Sequence, residues 1–464
     1  MTVALVLLNV LIVGSLLWVS TRRDVSAVLV ISLLFVYVLW YFVPAAITIL
    51  AWDRIASRVL TTYDVFVKYA VIEAVALLLT LVTFGIGWRR WRWMADGRLA
   101  NLTIGRRGMT WLVVGSVLFS LLIRRQILGI VGTNYAEANA FSVTSEGTSS
   151  AATVGILFFI STILQAFLVT CLLTPYPRQP KLIAPLLWIW LLVMTATEVL
   201  VGSRMALLVP CVLLLMWVHQ RRLSRTALVM IYGGIAFFMA TVGVLLTIVI
   251  AQIRSQNTIT VAAARQESQQ MVSDGTSRAE QLWTFFDHIY LKFDSIGPGA
   301  MLVEGRGAGA AGVKPWIGAA LSVVPRRILP SKPVPGSIDG TYRGTPQRIM
   351  AVDLGYDPDF GNVGVSPAAI SIWQFGMLGL LPLILINTLN LRMMNSMLMT
   401  RSVFTRMVPI IVLNIPAFTG VFSNGDAILM GGERAFAVYL AASIGLWLAG
   451  ITMRAPLTAA RATR

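Results

Sequence analysis

Charge is scarce in this chain: 12% of its 464 residues are Asp, Glu, Lys or Arg, against roughly 25% in a soluble domain. That share excludes an ordinary water-soluble fold. Histidine and cysteine are scarcer still, with two of each. No group of His, Cys and carboxylates has metal-ligand spacing, so no metal and no other cofactor is expected. Cys171 and Cys211 both fall inside apolar runs and read as small buried hydrophobes, not as a disulfide. A Walker A motif is missing, which argues against coupling to ATP. No repeat relates the two halves, which weakens the case for a transporter built from repeats.

What the chain has instead is apolar length. Hydrophobic residues make up 57% of it and the mean hydropathy is +0.78. Runs of about 20 apolar residues recur, the length a helix needs to cross a bilayer. They are continuous and not alternating, so a β-barrel is unlikely. The fold class expected is an all-α polytopic membrane protein. About eleven transmembrane helices are read, near 2–20, 25–49, 66–88, 109–124, 152–174, 182–202, 205–219, 226–252, 366–390, 403–422 and 435–453. Segment 3–19 precedes Arg22-Arg23 instead of following basic residues, so it reads as a span and not as a removable signal peptide.

The chain then divides into an N-terminal bundle of about eight helices over 1–253, a long loop over 254–365, and about three helices with a short tail over 366–464. Of the 37 lysines and arginines, 19 lie in alternate connections: 22–23, 89–107, 178–181, 221–225, 392–406 and 454–464. The positive-inside rule makes that face cytoplasmic. The C-terminus is then inside, and the long loop faces outward. The net charge of +17 is read as orientation and contact with anionic lipid, not as a nucleic-acid surface.

Polar residues concentrate in that loop. Ser277-Arg278-Ala279-Glu280 has capping-box spacing, and Leu282, Phe285, Phe286, Ile289, Tyr290 and Phe293 follow at helical spacing. Gly297-Pro298-Gly299 is expected to stop this amphipathic helix. Asp287 and His288 lie off its aromatic face. Each is either a general base or a solvated surface group. The glycines of 307–312 match GxGxxG without a preceding strand, and Asp357-Pro358-Asp359 resembles a DxD motif on the wrong side for nucleotide sugars. Both read as turns. Segment 316–324 is apolar but too short to span, and reads as interfacial or re-entrant. It leads into Pro325-Arg326-Arg327, whose guanidinium forks suit a pyrophosphate or, equally, an interfacial anchor.

Other charges sit at the predicted outer ends of spans. Glu73 and Glu198 are intramembrane carboxylates and functional candidates by default. For Glu198 a structural ion pair with Arg204, in the turn Gly202-Ser203-Arg204, is the alternative. Arg124-Arg125 and Arg434 add cations at the same surface.

Three stretches together resemble the Wzy-type O-antigen and exopolysaccharide repeat-unit polymerases. They are Val201-Gly202-Ser203-Arg204 with Ala206-Leu207-Leu208, Val324-Pro325-Arg326-Arg327-Ile328-Leu329-Pro330-Ser331-Lys332-Pro333, and Gly364-Val365-Ser366-Pro367 leading to Phe375-Gly376-Met377-Leu378-Gly379. The resemblance implies a multi-pass protein of the bacterial inner membrane with a GT-C-type architecture. Its substrate would be an undecaprenyl-diphosphate-linked oligosaccharide, used in the periplasm for polysaccharide biosynthesis. A flippase and a chain-length regulator of the same pathway would be partners, with no nucleic acid. Under it, Arg204, Arg326, Arg327, Arg278 and Arg434 would bind the substrate and its departing diphosphate. Asp287, His288 or Glu198 would be the base. An O-antigen ligase-like transferase and a lipid-linked oligosaccharide flippase remain as alternatives.

Overall fold

The computed structural model describes residues 2–22, 24–50, 52–55, 62–86, 106–132, 149–173, 183–200, 208–220, 311–321, 366–400 and 403–413. It adds shorter pieces at 230, 233–234, 296–297, 299–300, 309, 324, 328–331, 428–429, 432–433, 435–436 and 440. Among the described residues the structure is all helical, with no strand. The main helices are α1 (Thr2–Thr21), α2 (Ala27–Val36), α3 (Val43–Leu50), α4 (Trp52–Ile55), α5 (Tyr63–Ile86), α6 (Arg106–Val131) and α7 (Ser149–Leu173). They continue with α8 (Ile183–Leu200), α9 (Leu208–Gln220), α10 (Lys314–Ala320), α11 (Pro367–Phe375), α12 (Leu380–Leu398) and α13 (Val403–Leu413).

Five of these segments are long and apolar enough to cross a membrane: Thr2–Thr21, Tyr63–Ile86, Gly108–Val131, Thr153–Leu173 and Pro367–Leu398. Their surfaces are arranged for an apolar solvent. Val3, Leu7, Val10 and Leu11 of α1 and Ile189 and Leu192 of α8 are exposed, while Glu73, Thr80, Ser120, Asn387 and Asn395 are buried. A chain in lipid gains by turning its polar side chains inward, and this distribution does so.

Contacts fix the helix directions. Thr2 Oγ1 lies 3.2 Å from the Tyr63 hydroxyl, and at the other end of the pair Trp18 packs on Gly85 so closely that a Cβ there would collide with its ring. Thus α1 and α5 are parallel. Helix α12 joins them in the same direction. Thr388 Oγ1 is 2.7 Å from Thr83 Oγ1, Arg392 donates to the Thr83 carbonyl, and Asn395 donates to the Asp24 carbonyl at 2.9 Å and accepts from Ser26 N–H at 2.7 Å. Arg22 reaches the same end, donating to the Gly85 carbonyl while paired with Asp24 at 3.1 Å. Phe167 stacks on Phe404 and Trp188 meets Trp217 edge-on, as antiparallel neighbours α7/α13 and α8/α9 require.

The structure departs from the sequence expectation at three spans. The second, expected as one helix, carries a π-helical turn at Tyr37–Phe42 between α2 and α3. Pro44 has no amide for the Trp40 carbonyl and would clash with it, so the preceding turn widens. The fourth, expected to end at residue 124, runs through Arg124-Arg125 to Val131 and stops at Gly132, whose φ is 106°. The span expected at 366–390 is broken: α11 ends at Phe375, a 3-10 turn covers Gly376–Gly379, and α12 follows.

That break has a geometric consequence. Gly376 has φ 66°, a conformation suited to glycine, and a Cβ on Gly379 would collide with the Ser371 carbonyl. Ser366 contacts Tyr69 and Thr388 contacts Thr83. At 1.5 Å per residue, Ser366 lies about 21 Å, and Leu380 about 12 Å, from the Thr83 level. Residues 366–380 therefore advance about 9 Å along the bundle, where a straight helix would advance about 21 Å. Helix α11 crosses the bundle obliquely.

Replacing Gly379 with Ala is expected to destabilise the protein by about 1–3 kcal/mol through this backbone collision. Gly115→Ala, in α6 with open space around it, should be neutral or stabilising by up to about 1 kcal/mol. Thermal unfolding in detergent compares the two, and equal midpoints would refute the packing of α11 on the turn.

Candidate functional site

Two polar centres are built inside the described bundle. The first begins with Tyr69 and Glu73, four residues apart and therefore on one face of α5. Both are buried, Glu73 completely. Tyr69 donates to Glu73 Oε1 at 2.9 Å, and its oxygen lies 2.5 Å from Ser366 Oγ. Tyr69 has one proton, already committed to the carboxylate, so Ser366 donates the second bond. Ser366 Oγ in turn accepts from Ala369 N–H at 3.1 Å, capping α11 with Pro367 at the first helical position. A one-way chain of hydrogen bonds thus runs from the first turn of α11 to a buried carboxylate. Tyr41, from the π turn, lies within electrostatic reach of Glu73. On the same segment Tyr37 donates to Asn9 Oδ1 at 2.8 Å. The charged groups Arg22 and Arg392 on the adjoining helices bind the opposite end of α5.

Described residues of the long loop pack onto this centre. Ile296 and Ala300 are buried, and a Cβ on Gly299 would collide with the Tyr69 ring. The backbone at Ile296, Gly297, Gly299 and Ala300 is helical, which replaces the helix stop expected at Gly297-Pro298-Gly299. The glycine pattern of 307–312 has a structural use. Gly309 N–H donates to the Ile372 carbonyl at 3.0 Å, Ala311 N–H to Trp373 at 3.3 Å and Gly312 N–H to Gln374 at 3.0 Å. Two of these satisfy the Trp373 and Gln374 carbonyls at the end of α11, and the third adds a second donor to the Ile372 carbonyl, which also accepts from Gly376 N–H. Gly309 and Gly312 adopt φ of 81° and 55° to present them. Trp316, in α10, then donates from its indole to Gln374 Oε1 at 2.9 Å and meets Phe375 edge-on. The short apolar segment is thereby tied to the bundle.

The second centre joins α6 to α8. Trp190 Nε1 donates to Ser120 Oγ at 3.2 Å. One turn along α6, Arg124 donates from Nε to Thr197 Oγ1 at 3.2 Å and pairs through Nη1 with Glu198 Oε1 at 2.7 Å. Glu198 is thus paired with Arg124; the pairing considered with Arg204 lies outside the described residues.

Of the charged residues singled out from sequence as site candidates, Glu73, Arg124, Arg125 and Glu198 are described; Glu73 belongs to the first centre and Arg124 with Glu198 to the second. Asp287, His288, Arg204, Arg278, Arg326, Arg327 and Arg434 lie outside the described residues, as does the aromatic helix of 277–293. Neither Cys171 nor Cys211 is in a disulfide; the first is buried and the second partly so. Sequence reasoning did not find Tyr69 or the role of Ser366. The signals were present: a Tyr four residues before an intramembrane Glu, and Ser-Pro opening an apolar run, the signature of a capped helix start. Comparison with protein families, with curated proteins and with solved structures finds no match for this chain.

Tyr69→Phe and Ser366→Ala should each destabilise the fold by about 0.5–2 kcal/mol. Because both share one bond, the double variant should lose less than the sum, with a coupling of about 0.5–1 kcal/mol. Strict additivity in a double-mutant cycle would show that the Tyr69–Ser366 bond does not form.

Proposed function

We propose that this chain is a membrane glycosyltransferase that polymerises undecaprenyl-diphosphate-linked oligosaccharide repeat units at the periplasmic face of a bacterial inner membrane. The reading carries with it about eleven spans in a GT-C-type arrangement, the long loop in the periplasm and the C-terminus in the cytoplasm. Support comes chiefly from one observation: the described residues of the long polar loop at 296–297, 299–300, 309 and 311–321 pack on the bundle and on helix α11. Backbone bonds from 309–312 cap α11, and Gly299 sits on Tyr69. A loop held this way suits a lid over substrate better than a soluble appendage does. The Gly364-to-Gly379 stretch that carries part of the family resemblance falls at this same junction.

The proposed chemistry needs no nucleotide. The bond from the anomeric carbon of the growing glycan to its lipid diphosphate breaks, and a new bond forms to a hydroxyl of the incoming repeat unit. The acceptor proton leaves to a base, with Asp287, His288 and Glu198 as candidates. The diphosphate departs with its negative charge offset by Arg204, Arg326 and Arg327, helped by Arg278 and Arg434.

A strain lacking the protein is expected to accumulate lipid carrier bearing single repeat units. Arg204→Ala and Arg326→Ala should fail to restore long polymer at normal membrane levels of protein. Normal chain lengths in both variants would overturn the reading. Full-length polymer retained on the carrier would identify a ligase, and repeat units held on the cytoplasmic leaflet a flippase.

A further inference from the structure

The Arg124 centre carries a feature that a structural ion pair does not explain. The Arg124 side chain is 7% exposed and that of Glu198 38%. Glu198 takes Nη1 and Thr197 takes Nε, while the buried Nη2 has no hydrogen-bond partner. Buried charged donors are almost always satisfied, and an exception points to an absent ligand or water. The pair is also lopsided. Arg124 is fixed by packing and by two contacts, whereas its carboxylate partner can swing toward the surface.

We propose that Arg124 anchors a binding site for a membrane-borne phosphate group, and that Glu198 is the placeholder anion which that group displaces. Glu198 supplies one oxygen to one edge of the guanidinium. A phosphate has several oxygens and can bridge Nη1 and Nη2, the bidentate geometry that arginine favours. Arg125, exposed on the next position of α6, leaves the local charge positive once Glu198 is counted. Arg124 lies seven residues before the end of α6, about 10 Å from it, and Glu198 lies two residues before the end of α8. Ile189 and Val193 of α8 are exposed and lie two turns and one turn before Thr197 on the same side of the helix, an apolar strip along which a lipid tail can lie. The site stands on this geometry and goes beyond the polymerase reading, since a phospholipid headgroup and a polyprenyl diphosphate share the chemistry it recognises. It also gives Glu198 a role other than that of catalytic base.

The test measures binding and not polymer, so its failure is separable from failure of the polymerase reading. Full-length protein in phosphatidylcholine nanodiscs is titrated with geranylgeranyl diphosphate, phosphatidylglycerol or inorganic phosphate. Wild type is expected to bind at least one of the two lipids. Arg124→Lys should weaken that binding about tenfold, because a point charge replaces a fork. Glu198→Gln should strengthen it several-fold, since the competing anion is gone; a base or a structural partner predicts no such gain. The double variant Arg124→Met, Glu198→Met replaces the pair by apolar packing, is expected to fold, and should not bind. Preference for the diphosphate assigns the site to a carrier lipid, and preference for phosphatidylglycerol to a bilayer lipid; either supports the proposal. No binding of either lipid, unchanged binding in Arg124→Lys, or weaker binding in Glu198→Gln would overturn it. So would inorganic phosphate binding as tightly as the lipids.

Discussion

A bilayer offers no water to a stray polar group, and the arrangement around Tyr69 follows from that constraint. Glu73 is fully buried, in surroundings where a carboxylate is costly unless it is hydrogen-bonded. Tyr69 supplies one bond, and Tyr69 is completed by Ser366. Ser366 is also the cap of α11, so satisfying the carboxylate fixes where the chain re-enters the bundle. The end of α11 at Phe375 then leaves the Trp373 and Gln374 carbonyls open inside the protein, and Ala311 and Gly312 of the long loop close them while Gly309 joins Gly376 on the Ile372 carbonyl. One buried acid, two hydroxyls and three backbone amides thus link the first third of the chain to the loop and to the final third.

Much of the helical layout was legible because hydropathy and span length are local properties. The starts and ends of α1, α5, α7 and α8 fall within a few residues of the expected spans. What hydropathy misread were places where a long-range partner changes the meaning of a residue. Arg124-Arg125 looked like the end of a span because charge ends an apolar run. Glu198, 74 positions later, allows Arg124 to stay inside. The 366–390 run looked continuous because Gly376 and Gly379 scarcely lower its hydropathy, yet their backbone geometry turns the chain. The π turn before Pro44 likewise leaves no mark in composition.

The candidate site was legible in a different way. Residues 307–312 were expected as a turn; the described Gly309, Ala311 and Gly312 bond to the end of α11, a partner that nothing local indicates. Glu73 was recognised as an intramembrane acid, but its partner Ser366 is distant in sequence, and nothing local indicates that the two meet. Glu198 was weighed correctly as a residue with two readings, base or ion pair. The structure supplies a pair with Arg124, a residue 74 positions away that sequence alone did not link to it.

The position of α12 also bears on how the protein is made. Asn395 bonds the turn after α1 across 369 and 371 positions, and Thr388 and Arg392 bond Thr83 across 305 and 309. At about 5–20 residues per second, a ribosome needs roughly 15–60 s to reach these residues after α5 has entered the membrane. Through that interval the early helices carry a seam whose polar groups await a helix not yet synthesised. Such a seam calls for a temporary occupant, whether lipid, water or an insertase, and makes the N-terminal bundle dependent on its last third for final assembly.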